Sequence, residues 1–232
     1  MGAVLEMTRK ILAPLLVIFG LGVSGCGTEQ QGPVGQIASN VKGLLQSDRN
    51  AVPPGPDDLL TREVIDGVTV PYAMVGVEQT GAYASMTIAG ANGDDLSWVT
   101  GDGVGIVLQA GLVTGTKGFG ADLSSADISS LAALIARGAG QITRVHSYID
   151  GEGRGFSISS RCLVSAAPDE QITIIGKTYA TRVVKEACVS SSGAFENEYW
   201  IGKNDGVMWQ SRQWVSTGVG HLLLLTLVPV AR

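Results

Sequence analysis

The sequence predicts an all-β fold, an antiparallel meander that closes into a barrel or sandwich-like body and carries one short helix. Apolar and polar residues alternate with a period of two through most of the chain after Val68, which is typical of half-buried strands. Turn-forming pairs such as Asn92-Gly93 separate these runs. Glycine makes up 32 of the 232 residues, about twice its usual share, and is dispersed among valine, isoleucine and threonine. These features predict short strands joined by tight turns.

About twelve strands and one helix are expected, in chain order. The predicted strands are 74–77, 83–88, 96–100, 104–109, 112–114, 141–149, 154–163, 171–175, 178–188, 198–201, 207–215 and 221–228. The helix is expected over about 124–137, where apolar residues recur at helical spacing. Ser124 or Ser125 is expected to cap its first turn, and Gly138 to end it.

The N-terminal segment has the pattern of a secretory signal peptide. Arg9 and Lys10 precede an apolar run of about 12 residues, shorter than the roughly 20 that a membrane-spanning helix needs. The run ends in Val23-Ser24-Gly25-Cys26, which resembles a bacterial lipobox. The resemblance implies diacylglyceryl transfer to the Cys26 sulfur, cleavage after Gly25 and acylation of the new amino terminus. The alternative is an ordinary secretory signal; Met1 and Met7 are both candidate translation starts.

This segment sets the expected domain organisation and location. We expect a signal peptide over 1–25, a tether and linker over 26–56, and a β-rich domain over 57–232, after the stiff sequence Pro53-Pro54-Gly55-Pro56. Two or more acyl chains, palmitate among them, would hold Cys26 stably in lipid. Gly27 rather than aspartate follows Cys26, so by resemblance to other bacterial lipoproteins we expect the periplasmic face of the outer membrane. A net charge of −5 without a basic tract argues against nucleic-acid binding.

Two cysteines remain after the one expected to carry lipid. Cys162 and Cys188 both lie in strand-like stretches, and the compartment is oxidising, so a disulfide is predicted. Two buried thiols are the alternative. Neither a CxxC motif nor a zinc-type cluster of cysteine and histidine occurs, so no metal site and no cofactor are expected.

The sequence offers little that would support catalysis. His146 and His221 both fall inside strand patterns, where a hydrogen-bonded core histidine is the default interpretation. Neither Gly-x-Ser-x-Gly nor His-Glu-x-x-His occurs. Acidic pairs in predicted turns are weak candidates for a glycosidase acid and base or for calcium ligands: Asp94 with Asp95, and Asp150 with Glu152. No catalytic residue is therefore predicted.

Two segments resemble the group-four capsule polysaccharide lipoprotein family (YjbF/GfcB type). The first runs from Trp98 to Leu123 and ends in a Thr-x-Gly-x-Gly-x-Asp-Leu-like pattern; the second runs from Glu198 to Val215 and is followed by an apolar strand ending at Pro229. The residues that carry the resemblance are Trp98, Gly118, Gly120, Asp122, Trp200, Gly206, Trp209, Ser211 and Gln213.

The resemblance implies an outer-membrane lipoprotein with a β-rich, barrel-like body that serves capsule or exopolysaccharide production. It also implies partners, namely an outer-membrane β-barrel and a periplasmic protein of the same secretion system, and it implies no catalysis. The expected function is therefore a non-enzymatic subunit that assists polysaccharide export or assembly. A barrel that carries a lipid or glycan is one alternative, and a polysaccharide-modifying enzyme is another.

Alternation assigns the motif side chains to faces. It places Trp209, Ser211 and Gln213 on one face of their strand and Trp214 on the other, so one tryptophan can fill the core while another stacks on a sugar or a partner. Trp214 is the first candidate for such a surface. The glycines 118 and 120 are expected at a strand-to-helix corner, with Asp122 capping the backbone N–H groups that follow it.

Overall fold

A computed structural model describes residues 53–231. The predicted signal peptide, Cys26 and nearly all of the tether lie outside the described residues. No helix within 53–231 is both long enough and apolar enough to span a membrane.

Twelve antiparallel strands form one sheet in the described part of the chain. The strands are β1 (Tyr72–Val77), β2 (Ala82–Asn92), β3 (Asp95–Thr100), β4 (Gly105–Gln109), β5 (Leu112–Lys117), β6 (Leu123–Ala126), β7 (Ala139–Ile149), β8 (Gly155–Ile174), β9 (Lys177–Ser190), β10 (Gly193–Gly202), β11 (Met208–Ser216) and β12 (Gly220–Val228). Three short helices accompany them within residues 53–231: α1 (Pro56–Leu59), α2 (Arg62–Asp66) and α3 (Leu131–Arg137).

The strands follow one another around a nearly closed barrel. Apart from β5 and β6, each strand pairs with its neighbours in sequence, and β1 pairs with β12, with Val75 opposite Leu224. The sheet's two edges are β5 and β6, which are consecutive in the chain. Thr116 joins them, because its Oγ1 accepts from the Leu123 backbone N–H at 2.9 Å and donates to Asp122 Oδ1 at 2.9 Å. The predicted all-β antiparallel barrel is confirmed.

The helix begins later than predicted. Ser124 and Ser125 belong to β6, where Leu123 and Ala126 point into the core, so neither serine caps the helix. The helix starts only at Leu131, whereas its predicted end at Gly138 is confirmed. Gly138 takes a left-handed conformation with φ of 70° and donates to the carbonyls of the last turn.

Two predicted strands are one. The runs 154–163 and 171–175 belong to the single strand β8, which continues through an irregularity between Ala167 and Glu170. Pro168 lies within this bulge, where its missing N–H costs no ladder hydrogen bond. A proline within an alternating sequence usually indicates the end of a strand, but here the bulge accommodates Pro168 and the strand continues.

The core has two layers separated by the barrel wall. Consecutive residues enter different layers: Val75, Val184 and Leu224 face the lumen, whereas Met74, Val183 and Leu225 face outward. Side chains from most strands and from α3 fill the lumen. Apolar residues of α1, α2 and the segments that follow them cover the outward-facing cluster, with Leu60 and Ile65 buried in it.

Candidate functional site

Two motif tryptophans of the β10–β11 hairpin pack in the outward-facing cluster. The Trp200 Nε1–H donates to Glu170 Oε2 at 2.8 Å. The Trp209 ring stacks on Tyr179 with centroids 4.0 Å apart, and its Nε1–H donates to Asp205 Oδ2 at 3.1 Å. Both tryptophans are more than nine-tenths buried, so they are core residues and not a binding platform.

A β-bulge in this hairpin corrects the arrangement that alternation predicted. Trp200 pairs with Gln210 and Ile201 with Met208, which leaves Trp209 as an extra residue on β11. Because Trp209 is the extra residue, its side chain lies on the outward face, the same face as that of Trp200. The prediction that Trp209 shares a face with the later motif residues of β11 is therefore wrong.

Ser211 and Gln213 instead face the lumen, where they tie β11 to the β4–β5 turn. Gln213 accepts a hydrogen bond from the Val113 backbone N–H at 2.9 Å and donates to the Gly111 carbonyl at 2.8 Å. Its Nε2 also donates to Ser211 Oγ at 2.9 Å. Both side chains are buried, so these two motif residues stabilise the barrel from within.

Trp98 lines an apolar lumen cavity of about 450 Å³. Its ring is buried, and the Nε1–H has no hydrogen-bond partner. Met208, Leu112 and Ala132 of α3 contribute to the same lining. Gly206, which carries the family resemblance and lies between β10 and β11, also lines this cavity and has φ of 66°.

Gly118, Gly120 and Asp122 form the β5–β6 connection, which is a strand-to-strand rather than a strand-to-helix corner. Both glycines have positive φ, at 91° and 98°. Asp122 Oδ2 accepts from the Gly118 N–H at 2.9 Å, and Oδ1 accepts from the Phe119 N–H at 3.1 Å. Asp122 therefore caps backbone groups that precede it, not those that follow it as predicted, and it holds the connection at the barrel seam.

A second cavity, of about 420 Å³, is lined by aromatic side chains from four strands. Trp214 stacks on Phe195 with centroids 5.7 Å apart and planes 13° from parallel. Tyr148 stacks on Phe156 at 5.3 Å, and His146 meets Phe195 edge-on at 5.9 Å. We call this the aromatic cavity. Its volume falls within the range of about 300–1,000 Å³ that is usual for ligand pockets.

The aromatic cavity brings together residues of both motif segments. Gly120 and Asp122 line it from the β5–β6 connection, and Trp214 lines it from β11. Trp214 is only partly buried, unlike Trp200 and Trp209. Among the predicted site residues of the described chain, these three share the aromatic cavity. Gly118 is exposed in the β5–β6 connection, and the other motif residues lie in the core or line the lumen.

The aromatic cavity also contains a polar group without a partner. Ser160 lies on the lumen face of β8, is fully buried and lines the cavity, and its Oγ makes no hydrogen bond. Burying an unpaired hydroxyl costs about 1–3 kcal/mol, so such groups are uncommon in native proteins. Burial, and secondarily the Arg144 charge, lowers the pKa of His146 to about 3, so this histidine is neutral near pH 7.

His221 packs against the ring of Trp214. Its ring meets Trp214 edge-on at 5.2 Å. One ring nitrogen contacts the Arg212 guanidinium at 3.0 Å, and the other contacts the Glu196 carbonyl at 2.9 Å. Arg212 in turn forms a bidentate pair with Glu78. The predicted role of His221 as a hydrogen-bonded core histidine is confirmed.

A buried ion pair spans β8 on its lumen side, beside the aromatic cavity. Arg144 on β7 and Glu186 on β9 meet at 3.2 Å, and both are at least 98% buried. Glu186 Oε2 also accepts from Asn197 Nδ2 and from the Tyr199 hydroxyl, each at 2.7 Å. Burial, reinforced by the Glu186 charge, raises the pKa of Tyr199. The alternation of the sequence hints at inward polar positions here, but nothing in it pairs these two residues.

The predicted disulfide is present. Cys162 and Cys188 lie directly opposite each other on β8 and β9, and their sulfur atoms are 2.04 Å apart. The Glu186 carboxylate lies close enough to both sulfurs to suggest a metal site by distance alone. The sulfurs are bonded to each other and Glu186 is paired with Arg144, so these side chains do not form a thiolate site.

Among the acidic residues of the predicted turns, Asp150 stabilises its own turn. Asp150 Oδ1 accepts from the backbone N–H groups of Glu152 and Arg154, and Oδ2 accepts from Arg154 Nε at 2.9 Å. These bonds, with the Arg154 N–H contributing most, lower the pKa of Asp150. Asp95 Oδ1 lies 3.5 Å from the Thr114 hydroxyl.

Comparison with known proteins agrees with the motif resemblance. No curated protein matches the chain significantly. Among solved structures, the hypothetical lipoprotein YmcC from Escherichia coli (K12) superposes with a TM-score of 0.66 at 16% identity, covering 89% of this chain and 100% of that chain. That similarity shows a shared fold. Residues 42–227 match the model of the family described as group 4 capsule polysaccharide lipoprotein gfcB, YjbF. The chain therefore belongs to this family of capsule-related, lipid-anchored lipoproteins of the cell envelope.

Proposed function

We propose that the protein is a non-enzymatic subunit that assists the export or assembly of capsule polysaccharide or exopolysaccharide. It is anchored by acylated Cys26 to the periplasmic face of the outer membrane. The observation that carries this proposal is the aromatic cavity, where Trp214, Gly120 and Asp122 of the family motif segments meet. A rigid barrel with such a cavity suits a protein that holds or guides a polysaccharide chain.

The carboxylates of the cavity favour a non-enzymatic role. Asp122 and Asp150 both line the cavity, yet each accepts several hydrogen bonds from its own turn. A general acid or base needs a carboxyl group that is free to exchange a proton with the substrate. Glu186, the fully buried carboxylate, is bound by Arg144 and two neutral donors.

The proposed partners are an outer-membrane β-barrel and a periplasmic protein of the same secretion system. Trp214 is the residue that we assign to partner or chain contact. Trp214→Ala should weaken co-purification with the outer-membrane partner and change the melting temperature little, because the ring is only partly buried. A loss of about 3–5 kcal/mol in unfolding free energy, typical of a truncated core tryptophan, would instead make Trp214 a packing residue.

Deletion of the gene tests the function itself. Surface or secreted polysaccharide should fall while cytoplasmic precursor synthesis continues, and the wild-type gene should restore export. Exported polysaccharide that remains at the wild-type level in the deletion strain would refute the proposal.

The lumen cavity favours a second candidate, a barrel that carries a lipid. Its volume of about 450 Å³ and its apolar lining, including Met208 and Leu112, would suit an acyl chain. Native mass spectrometry of the protein purified from membranes would detect such a lipid. A copurifying lipid that is lost on Ala132→Phe, which fills the cavity from α3, would favour the carrier.

A further inference from the structure

We infer that the aromatic cavity is a saccharide-binding site that takes a short neutral stretch of the exported polysaccharide. This inference rests on the proposed function and specifies what that function contacts. It is carried by three features of the cavity: two stacked aromatic pairs, an unpaired buried hydroxyl and a lining without cations.

The aromatic pairs suit the apolar faces of sugar rings. An aromatic ring is electron-rich on its face, and the C–H groups on one face of a pyranose are weakly positive, so the two surfaces attract each other when stacked. Trp214 with Phe195 and Tyr148 with Phe156 place such rings around one space. Phe156 is 48% exposed although it lies beside a cavity, so a ligand entering there would cover it.

The hydroxyl of Ser160 favours a sugar over an acyl chain. Its Oγ is buried and unpaired. A hydrocarbon would leave this group unpaired, whereas a sugar hydroxyl can both donate to it and accept from it. Ser190, Ser192 and Thr217 add further hydroxyl groups to the lining.

The charge of the lining favours a neutral saccharide over an acidic one. Asp122 and Asp150 are the charged residues that line the cavity within the described chain, and neither lysine nor arginine joins them. The carboxylate of a uronic acid would therefore approach Asp122 and Asp150, and Arg154, the cation that pairs with Asp150, lies outside the lining. Neutral hexose units meet no such penalty.

Calorimetric titration of the full-length mature protein in detergent tests the site. The probes are short oligosaccharides obtained by partial hydrolysis of the polysaccharide that the same cells export, separated into neutral and acidic fractions. The neutral fraction should bind and the acidic fraction should bind more weakly. Phe156→Ala should weaken binding by roughly five- to tenfold, because one stacking surface is lost.

Leu163→Ala is the matched control. Leu163 lies on the same strand and is 51% exposed, but it does not line the cavity, so its variant should bind like the wild type. Ser160→Ala separates binding from folding. It should weaken binding several-fold while the midpoint of urea unfolding stays the same or rises, because an unpaired buried hydroxyl is removed.

Wild-type affinity in both Phe156→Ala and Ser160→Ala would overturn the inference, as would an absence of binding to the neutral fraction or a preference for the acidic one. None of these results decides the proposed function, which the deletion experiment tests separately. Reduced export on deletion with no saccharide binding would refute this site alone, whereas unchanged export would refute the proposed function.

Discussion

The four tryptophans show how much a single residue's role depends on its neighbours. Trp98, Trp200 and Trp209 are buried, and Trp214 is partly exposed beside the aromatic cavity. Strict alternation in the sequence pointed to Trp214, and the structure places its partly exposed ring in the lining of the aromatic cavity. The same reasoning misplaced Trp209, because a bulge adds one residue to β11 and reverses the pattern on that side of it. A bulge depends on pairing between strands, so a single strand's sequence does not show it.

His146 should make the protein sensitive to acid. The unfolded chain binds a proton at this residue below about pH 6.5, whereas burial prevents the folded protein from doing so until about pH 3. The contribution of this residue to the unfolding free energy is therefore fully present above pH 6.5, and it is lost as the pH falls towards 3. The loss is about 1.4 kcal/mol per pH unit within that window.

The variant His146→Phe keeps an aromatic ring beside Phe195 and removes the titration. Its unfolding free energy should fall by about 3 kcal/mol less than that of the wild type between pH 7 and pH 4, as measured by urea unfolding at each pH. Above pH 7, both curves should be flat with respect to this group. Parallel curves across the acid range would show that folded His146 takes up its proton at an ordinary pKa.

At the scale of elements, the strands were predictable and their connections were less so. Period-two alternation identified most of the strands because each has one face towards a core. It missed β6, whose four residues carry two serines that are equally suited to cap a helix. It divided β8 at Pro168, because the bulge that accommodates a proline is visible only when β9 is paired beside it. The helices α1 and α2 are too short to show a helical period.

The β5–β6 connection should depend on Asp122. This carboxylate accepts hydrogen bonds from two backbone N–H groups and from Thr116, at the one place where neighbouring strands of the described sheet lack a ladder. Asp122→Ala should lower the unfolding free energy by about 1–2 kcal/mol. It should also speed amide hydrogen exchange at Gly118 and Phe119, which mass spectrometry or NMR can measure.

Asp127→Ala is the matched control for this element. Asp127 also lies in an exposed turn next to β6, but its carboxylate accepts from a single backbone group, Ser129 N–H, at 2.9 Å. Asp127→Ala should therefore lower the unfolding free energy by less than Asp122→Ala does. It should leave amide hydrogen exchange at the β5–β6 connection unchanged. An Asp122 variant no less stable than the Asp127 variant would mean that the seam is held by other contacts.

At the scale of the whole molecule, closure brings together what lies far apart in sequence. Pairing of β1 with β12 joins strands from opposite ends of the domain, and Gln213 reaches the β4–β5 turn across the lumen. The Arg144–Glu186 pair forms within the consecutive strands β7 to β9, whereas the aromatic cavity combines aromatic residues of four strands with the β5–β6 connection. The motif segments supplied three residues of the cavity, whereas Tyr148, Ser160 and Phe195 come from β7, β8 and β10, outside both motif segments.

Acylation at Cys26 should decide where this barrel acts. Several acyl chains hold a protein on a membrane stably, because each buried CH₂ contributes about 0.8 kcal/mol, whereas the unmodified chain would leave the surface. Cys26→Ser should therefore move the protein from the outer-membrane fraction to the soluble periplasmic fraction. Intact-mass analysis should show the added diacylglyceryl and acyl groups on the wild type only. Export should also fall in the Cys26→Ser strain, because a tethered subunit meets its membrane partner at a far higher effective concentration than a free one.

A matched strain carrying Cys162→Ala with Cys188→Ala keeps the anchor, so its protein should stay with the membrane. Membrane association that persists in Cys26→Ser, or an unmodified Cys26 in the wild type, would contradict the anchor.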